Sequence, residues 1–368
     1  MVHLVNRKHS IVTNKNLITQ QPIALLFVEI YIKLRKEYYY IKSGGKILEK
    51  RGYDIQISNM KGLLIFFVIL GHFLLIVGSK DRVLVDIIYS FHMPAFIFIS
   101  GICTQRADFK KIGKLIGLYI VFQPLFMLLG LLVGYYPTLN MKMILTPVYH
   151  LWYLVALAAW TLFAIYANKR GKYAMDTLLI VMILLVLAVV NRYFYSTQFL
   201  TITRILSFAP YFIAGFYLNT NGLMKVRELL RKHKYIALAI LLALVTCLYF
   251  LFSANPNEYM ALFGGFSDKA TFSVTTLGYL INVLASFGLA FLWIALMIVF
   301  VPTKNTNLVT VGNDTLFPYN LHPIIIFLMI PKTSYFAAQP AIFQFTFALM
   351  MAISLFSIFT MVLKKKNI

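Results

Sequence analysis

Apolar residues occur along this chain in long runs separated by charged or Pro/Gly/Asn-bearing breaks. The runs fall near 60–78, 84–104, 112–134, 148–167, 175–191, 202–219, 235–253, 274–300, 308–330 and 340–362. A helix of about 20 apolar residues crosses the roughly 30 Å hydrocarbon layer of a bilayer. The pattern therefore predicts an all-α polytopic integral membrane protein with about ten transmembrane helices. The run at 274–300 is long enough to tilt or to begin in a loop. The run at 308–330 is the most irregular, because it contains Asn313, Asp314, Asn320, His322 and Pro323.

Composition agrees with this reading. The chain of 368 residues is 60% hydrophobic and only 12% charged, about half the charged share of an ordinary soluble domain. It lacks the polar surface that a soluble fold of this length requires. The formal charge of +22 raises the question of nucleic acid, but a nucleic-acid binder gathers its basic residues on one face of a soluble module, and here they lie between apolar runs.

Those basic residues alternate from loop to loop. Residues 1–57 hold ten Lys or Arg against four acids, and the same side receives Arg106, Lys110, Lys111 and Lys114, then Lys169, Arg170 and Lys172. It continues with Lys225, Arg227, Arg231, Lys232 and Lys234, then Lys304, and ends with Lys364, Lys365 and Lys366. The opposite loops hold little more than the stretch SKDR at 79–82, Lys142, Arg192, Lys269 and Lys332. Positive loops face the cytoplasm, so both termini are expected there, and an odd number of spans would misplace the basic tail. The expected organisation is a basic cytoplasmic extension at 1–57, a transmembrane domain at 58–363 and a basic cytoplasmic tail at 364–368. The extension does not read as a cleaved signal peptide, since its short apolar piece is interrupted by Glu29 and followed by a basic, tyrosine-rich stretch. An interfacial helix suits it better. Cys103 and Cys247 lie in apolar segments without metal-ligand spacing, so neither a disulfide framework nor a metal site is expected.

Polar groups inside a membrane span are costly unless they pair or face a cavity, which makes the few present the best pointers to function. They are Lys61, His72, Asp86, His92, His150, Arg204, Asp314 and His322. Lys61 and His72 stand eleven positions apart, about 16 Å along a helix, so they mark different depths. Lys61 can snorkel to the headgroups; His72 is too deep to do so. Histidine can accept a proton from a hydroxyl near neutral pH, or simply bond a neighbouring helix. His92 precedes Pro94, whose missing amide hydrogen loosens a helical turn, and can either satisfy that turn or contact substrate. His150 opens the segment HLWYL, which also suits an aromatic belt at the outer interface. Arg204 can bind carboxylate or phosphate, form a structural ion pair or reach the interface. Asp314 can pair with it, orient a histidine or cap a broken helix.

In order along the chain, NMKGLLIFFVILGH, FHMPAFIFISG, HLWYL, PYFIAGFYL and GNDTLFPYNLHP resemble the membrane-bound acyltransferase 3 family, and most nearly its fucose 4-O-acetylase-like branch. The resemblance runs from about Tyr53 to the end of the last apolar run. The family signature is Arg or Lys, ten intervening residues, then His, and Lys61 with His72 fits it. One departure stands upstream: where many relatives carry an acidic residue three positions before the Lys or Arg, this chain has Ser58 in SNMKG.

By that resemblance the protein is an O-acyltransferase of the cell membrane, expected in the bacterial cytoplasmic membrane. It moves an acetyl or other short acyl group from acyl-coenzyme A to a hydroxyl of a cell-envelope or exported polysaccharide sugar. His72, His92 and Arg204 become the catalytic candidates. Lys61, Arg106, Lys110 and Lys111 become candidates for the donor phosphates. His150, Trp152, Tyr153, Asn313, Asp314, Tyr319 and His322 are expected to line the acceptor site, while Gly62, Gly71 and Gly101 suit close helix packing. No metal and no nucleic acid is expected. The partners implied are the sugar acceptor, membrane lipids and polysaccharide biosynthesis or export proteins. A multispanning transporter or flippase is the alternative, since internal His, Asp and Arg also suit solute binding or proton relay. A membrane scaffold gives His72 no task.

Overall fold

The computed structural model describes residues 54–78, 82–170, 199–254, 259–265 and 275–366. The chain divides into Met1–Gly52 and Tyr53–Ile368, and every described residue belongs to the second unit. The expected extension before residue 54, the run near 175–191 and much of the loop before 275 lie outside the described residues.

The described residues form helices and no strand. The longer ones are α1 (Ile55–Ile76), α2 (Arg82–Cys103), α3 (Phe109–Leu132), α4 (Trp152–Arg170), α5 (Ile202–Arg231) and α6 (Lys234–Ala254). The short α7 (Tyr259–Phe263) precedes α8 (Thr276–Phe300), the short α9 (Asn307–Gly312) and α10 (Leu316–Met329). The short α11 (Thr333–Ala338) and α12 (Ala341–Lys366) complete the series. Among the described residues seven stretches are long and apolar enough to cross a membrane: α1, α2, α3, α6, α8, Leu316–Ala338 and α12. The protein is a multi-pass, all-α membrane protein. Of the ten runs seen in the sequence, those at 148–167 and 202–219 correspond to α4 and α5, which are not among the seven, and 175–191 is not described.

α1 and α2 form the centre. Two-thirds of the most apolar stretch of α2 is buried (67%), whereas α6 buries only 17% of its own and turns Leu238, Leu242, Val245 and Phe250 outward, as a helix facing lipid must. α2 packs most extensively on α5, and α1 on α9 and α12. Both main crossings run through glycines. A Cβ on Gly101 would lie 2.0 Å from Phe212 O and one on Gly215 would lie 1.9 Å from Phe98 O, so α2 and α5 touch backbone to backbone. A Cβ on Gly62 would meet Leu308 O at 2.2 Å and one on Gly312 would meet Ser58 O at 1.8 Å, closing α1 on α9 in the same way. Without a hydrophobic driving force between helices in lipid, such small-residue contacts supply the packing. The expected role of Gly62 and Gly101 is thus met; at Gly71 the nearest atom is the more yielding Ile88 Cγ2, 3.3 Å away.

α1 begins five residues before its apolar run. Asp54 caps it, accepting from Gln56 N at 2.9 Å and Ile57 N at 3.2 Å, and also pairs with Arg227 at 2.5 Å. Its polar first turns are buried because they reach across the bundle. Gln56 Nε2 donates to Ile298 O and Val301 O, and Asn59 Nδ2 donates to Pro302 O and Lys304 O, all at 2.8–2.9 Å. α5 is broken at Asn219, whose φ is 53° and whose Oδ1 accepts from Asn221 N and Gly222 N. The second half of α5 carries Arg227 and Arg231 to the same end of the bundle.

Candidate active site

The irregular run between 308 and 330 folds as two helices, α9 and α10, separated by a turn at Asn313, Asp314 and Thr315. That break lets α10 start afresh and turn His322 toward α1. His322 Nδ1 donates to Pro318 O, one helical turn back, at 2.8 Å, and His322 Nε2 lies 2.8 Å from His72 Nδ1. The two rings meet edge to edge, with 5.1 Å between centroids and 15° between planes. His92 makes the parallel bond on α2, from Nδ1 to Ile88 O at 2.7 Å.

A fourth histidine enters from the connection between α3 and α4. Gln123, a buried amide within α3, holds that connection from the side. Its Nε2 donates to Met143 O at 2.6 Å and Thr146 O at 3.0 Å, and its Oε1 accepts from Val148 N at 2.9 Å. Tyr119 adds a bond to Ile144 O at 2.6 Å. Tyr149 then takes φ 51°, a conformation unusual for a bulky residue and one that tends to mark functional sites. Its ring lies 4.8 Å from that of His72. The next residue, His150, is buried among Phe126, Tyr319 and His322, and its carbonyl accepts from Tyr319 Oη. Neither ring nitrogen of His150 has a partner among the described residues.

These elements enclose a cavity of about 190 Å³ lined by His72, His92, His150, Tyr149, Arg204 and Tyr319, with Trp152, Tyr89 and apolar side chains completing the wall. The Arg204 guanidinium sits 5.1 Å from the centre of the Trp152 ring, a cation–π arrangement. Among the described residues no group of His, Cys, Asp or Glu is placed to hold a metal ion. The cavity therefore offers imidazole bases, a guanidinium and phenols beside a small space, a set suited to moving a proton on or off a bound hydroxyl.

The acyltransferase 3 family model, an acyltransferase domain, matches residues 54–361. The chain belongs to that family. No curated protein and no solved structure matches it.

Within this acyltransferase domain the sequence candidates separate into two groups. His72, His92, His150, Trp152, Arg204 and Tyr319 line the cavity, and His322 stands behind His72. Tyr153 does not line it: its hydroxyl bonds Ser100 Oγ at 2.7 Å. Asn313 accepts from Ser58 Oγ at 2.7 Å and, with Asp314 beside it in the turn, lies where α9 crosses the start of α1, away from the cavity. Lys61 belongs to that same end of α1. Lys111 donates to Thr104 Oγ1 at 2.7 Å and interacts electrostatically with Lys61, while Arg106 and Lys110 are exposed. Tyr89, Tyr149 and Gln123 were not among the sequence candidates. Gln123 had a signal, being a lone amide in an apolar run; Tyr89 and Tyr149 are ordinary members of an aromatic-rich chain.

Proposed function

We propose that the protein is an O-acyltransferase that carries an acetyl or other short acyl group from acyl-coenzyme A to a hydroxyl of an envelope or exported polysaccharide sugar. His72 is the general base. The observation that carries this reading is the position of His72: it lines the cavity and is backed by a second imidazole at 2.8 Å, at the depth where the family signature puts its histidine. The acceptor hydroxyl gives its proton to His72 as its oxygen attacks the thioester carbon, and the proton then passes to the departing sulfur. His92 and Arg204 orient the acceptor or meet negative charge on the carbonyl oxygen. His150, Trp152 and Tyr319 shape the acceptor pocket.

The donor's phosphates suit the Lys61 end of the bundle, where Lys111, Arg106 and Lys110 add positive charge. This reading takes that end as cytoplasmic, with both termini on the same side, residues 1–57 as a cytoplasmic extension and 364–368 as a tail. The fucose 4-O-acetylase-like branch supplies the choice of a sugar hydroxyl, and acetyl is the favoured group by the same likeness. Envelope-polysaccharide assembly proteins are the fitting partners.

The decisive experiment compares O-acylation of envelope sugars with the wild-type and His72→Ala proteins, with membrane insertion checked for both. Loss of O-acylation from an inserted variant supports the reading; normal transfer by a folded His72→Ala protein eliminates it. Purified protein that accumulates solute in vesicles without consuming acyl-coenzyme A points to transport instead. For Lys61→Met, the expected result is a several-fold rise in KM for acetyl-coenzyme A with kcat nearly unchanged, measured in membranes. An unaltered KM removes Lys61 from donor binding.

A further inference from the structure

The positions of the hydrogens on the paired imidazoles follow from the carbonyl at the end of their chain. A carbonyl oxygen only accepts, so the bond from His322 to Pro318 O requires a hydrogen on His322 Nδ1. A neutral His322 then has a bare Nε2. The nitrogen facing it at 2.8 Å, His72 Nδ1, must carry the hydrogen of that bond. A neutral His72 with hydrogen on Nδ1 holds its lone pair on Nε2, to which no described residue donates. The opposite assignment has His322 donating to His72 and therefore requires hydrogens on both His322 nitrogens. That is an imidazolium at 0% exposure with no ion pair to any described carboxylate, an expensive way to bury a charge.

We infer that His322 is a positioning residue: anchored on the Pro318 carbonyl, it holds His72 in the Nδ1–H tautomer and leaves Nε2 as the atom that takes the acceptor's proton. The local sequence accounts for the anchor. His322 stands one turn after Pro318 in α10 and directly before Pro323, and its ring folds back onto the carbonyl of residue 318. The two rings lie nearly in one plane, the alignment that an in-plane bond between them needs, and turning the His72 ring would break that bond.

The functional part of this inference rests on His72 being the base for acyl transfer. In that step the acceptor O–H bond breaks and its proton binds His72 Nε2, while the oxygen forms a bond to the acyl carbon. The carbon–sulfur bond breaks with its electron pair on sulfur, and Nε2 returns the proton to the sulfur. Throughout, the Nδ1 hydrogen stays in its bond to His322 Nε2, which favours the transient imidazolium because a hydrogen bond from a charged donor is stronger than one from a neutral donor.

Two measurements test the inference. The first is the ¹⁵N spectrum of histidine-labelled full-length protein in lipid nanodiscs at about pH 8, where ordinary imidazoles are neutral, with His72 assigned by difference from His72→Ala. The expected result is a protonated Nδ1 and a bare Nε2 on His72; the reverse pattern overturns the inference. The second is acetyl-coenzyme A consumption in native membranes by two variants. His322→Leu removes the acceptor for the Nδ1 hydrogen and is expected to lower kcat by roughly 100-fold or more. His322→Gln puts an amide oxygen near the lost Nε2 and is expected to recover at least about a tenth of the wild-type rate. A fully active His322→Leu protein, or equal losses in both variants, overturns the positioning role. If the wild-type protein consumes no acyl donor at all, the acyl-transfer reading fails while the nitrogen spectrum still decides the tautomer.

Discussion

Two polar regions of this bundle differ in how far the protein itself fills their hydrogen bonds. Where α1 begins, both amide hydrogens of Gln56 and both of Asn59 go to backbone carbonyls of the last turn of α8 and the segment that follows it. Thr306 Oγ1 donates to Asn59 Oδ1 at 2.6 Å and Ser58 to Asn313. That region is nearly closed on itself, with Gln56 Oε1 the one amide atom of the two residues that no described residue bonds. Around the cavity the histidines are tethered through one nitrogen only, or through none: among the described residues His72 and His92 each keep Nε2 without a partner, and His150 bonds through neither ring nitrogen. Buried polar groups are normally satisfied, so bonding capacity left open beside a space points to a ligand. The contrast teaches that polarity within the membrane does not by itself mark a site; bonding capacity left unfilled beside a cavity does.

The largest effect expected on the open region is loss of the base. His72→Ala should lower acyl transfer by roughly three orders of magnitude, within the range for general bases, while the purified protein keeps its wild-type elution profile and melting temperature to within a few degrees. The closed region should behave the opposite way. Gly312→Val puts a branched side chain where even a Cβ would lie 1.8 Å from Ser58 O, and no rotamer change relieves contact with backbone. The expected outcome is loss of most folded protein, read as a collapse of the monodisperse peak and a lowered melting temperature. If Gly312→Val folded normally and lost only activity, the division between the two regions would be wrong.

Gln123 joins scaffold and site, and its replacement sharpens the comparison. Gln123→Leu removes three bonds that fix the segment before Tyr149 and His150 and leaves the carbonyls of Met143 and Thr146 without that donor. An unmade buried hydrogen bond costs about 1–3 kcal/mol, enough to loosen the connection without unfolding a bundle whose crossings are elsewhere. The rate should fall about tenfold with KM for the acyl donor unchanged, since 1.4 kcal/mol on a barrier is a factor of ten. A change in donor KM with an intact rate would place the influence of Gln123 at the other end of the molecule.

These two regions were not equally legible in the sequence. The helical, membrane-spanning character followed from the apolar runs, and the histidines stood out because ionisable groups are rare in such runs. The pairing of His72 with His322 could not be read, since it joins residues 250 positions apart and depends on α10 restarting after the break at Asn313–Thr315. Asn313 and Asp314 looked like members of the site because they share a motif with Tyr319 and His322. The first two lie in the turn before α10, whereas His322 stands six residues beyond Leu316, about 9 Å along the helix at 1.5 Å per residue, so the turn falls in the closed region. Tyr149 gave no signal, because its place in the cavity wall depends on the course of a connection that Gln123 holds from α3. Local composition reports burial and depth well; it does not report which bonds a neighbouring helix will fill.

The smallest effect is expected at Ser58, where the resemblance to the family implies an acidic residue. Its hydroxyl donates to Asn313 Oδ1 at 2.7 Å. In Ser58→Asp the carboxylate cannot donate, but rotation of the Asn313 amide by half a turn offers it an NH₂ in place of the oxygen. Asn313 is exposed and has room to make that turn. The bond is thus reversed in direction rather than lost, but the carboxylate replaces a hydroxyl at 1% exposure, so the melting temperature should fall by a few degrees while the acyl-transfer rate stays close to wild type. Ser58→Leu, which can neither donate nor accept, should lower the melting temperature by a few degrees and leave kcat alone. A large fall in kcat in either variant would mean that the start of α1 takes part in the chemistry after all, and the boundary between the closed and open regions would have to move toward Lys61.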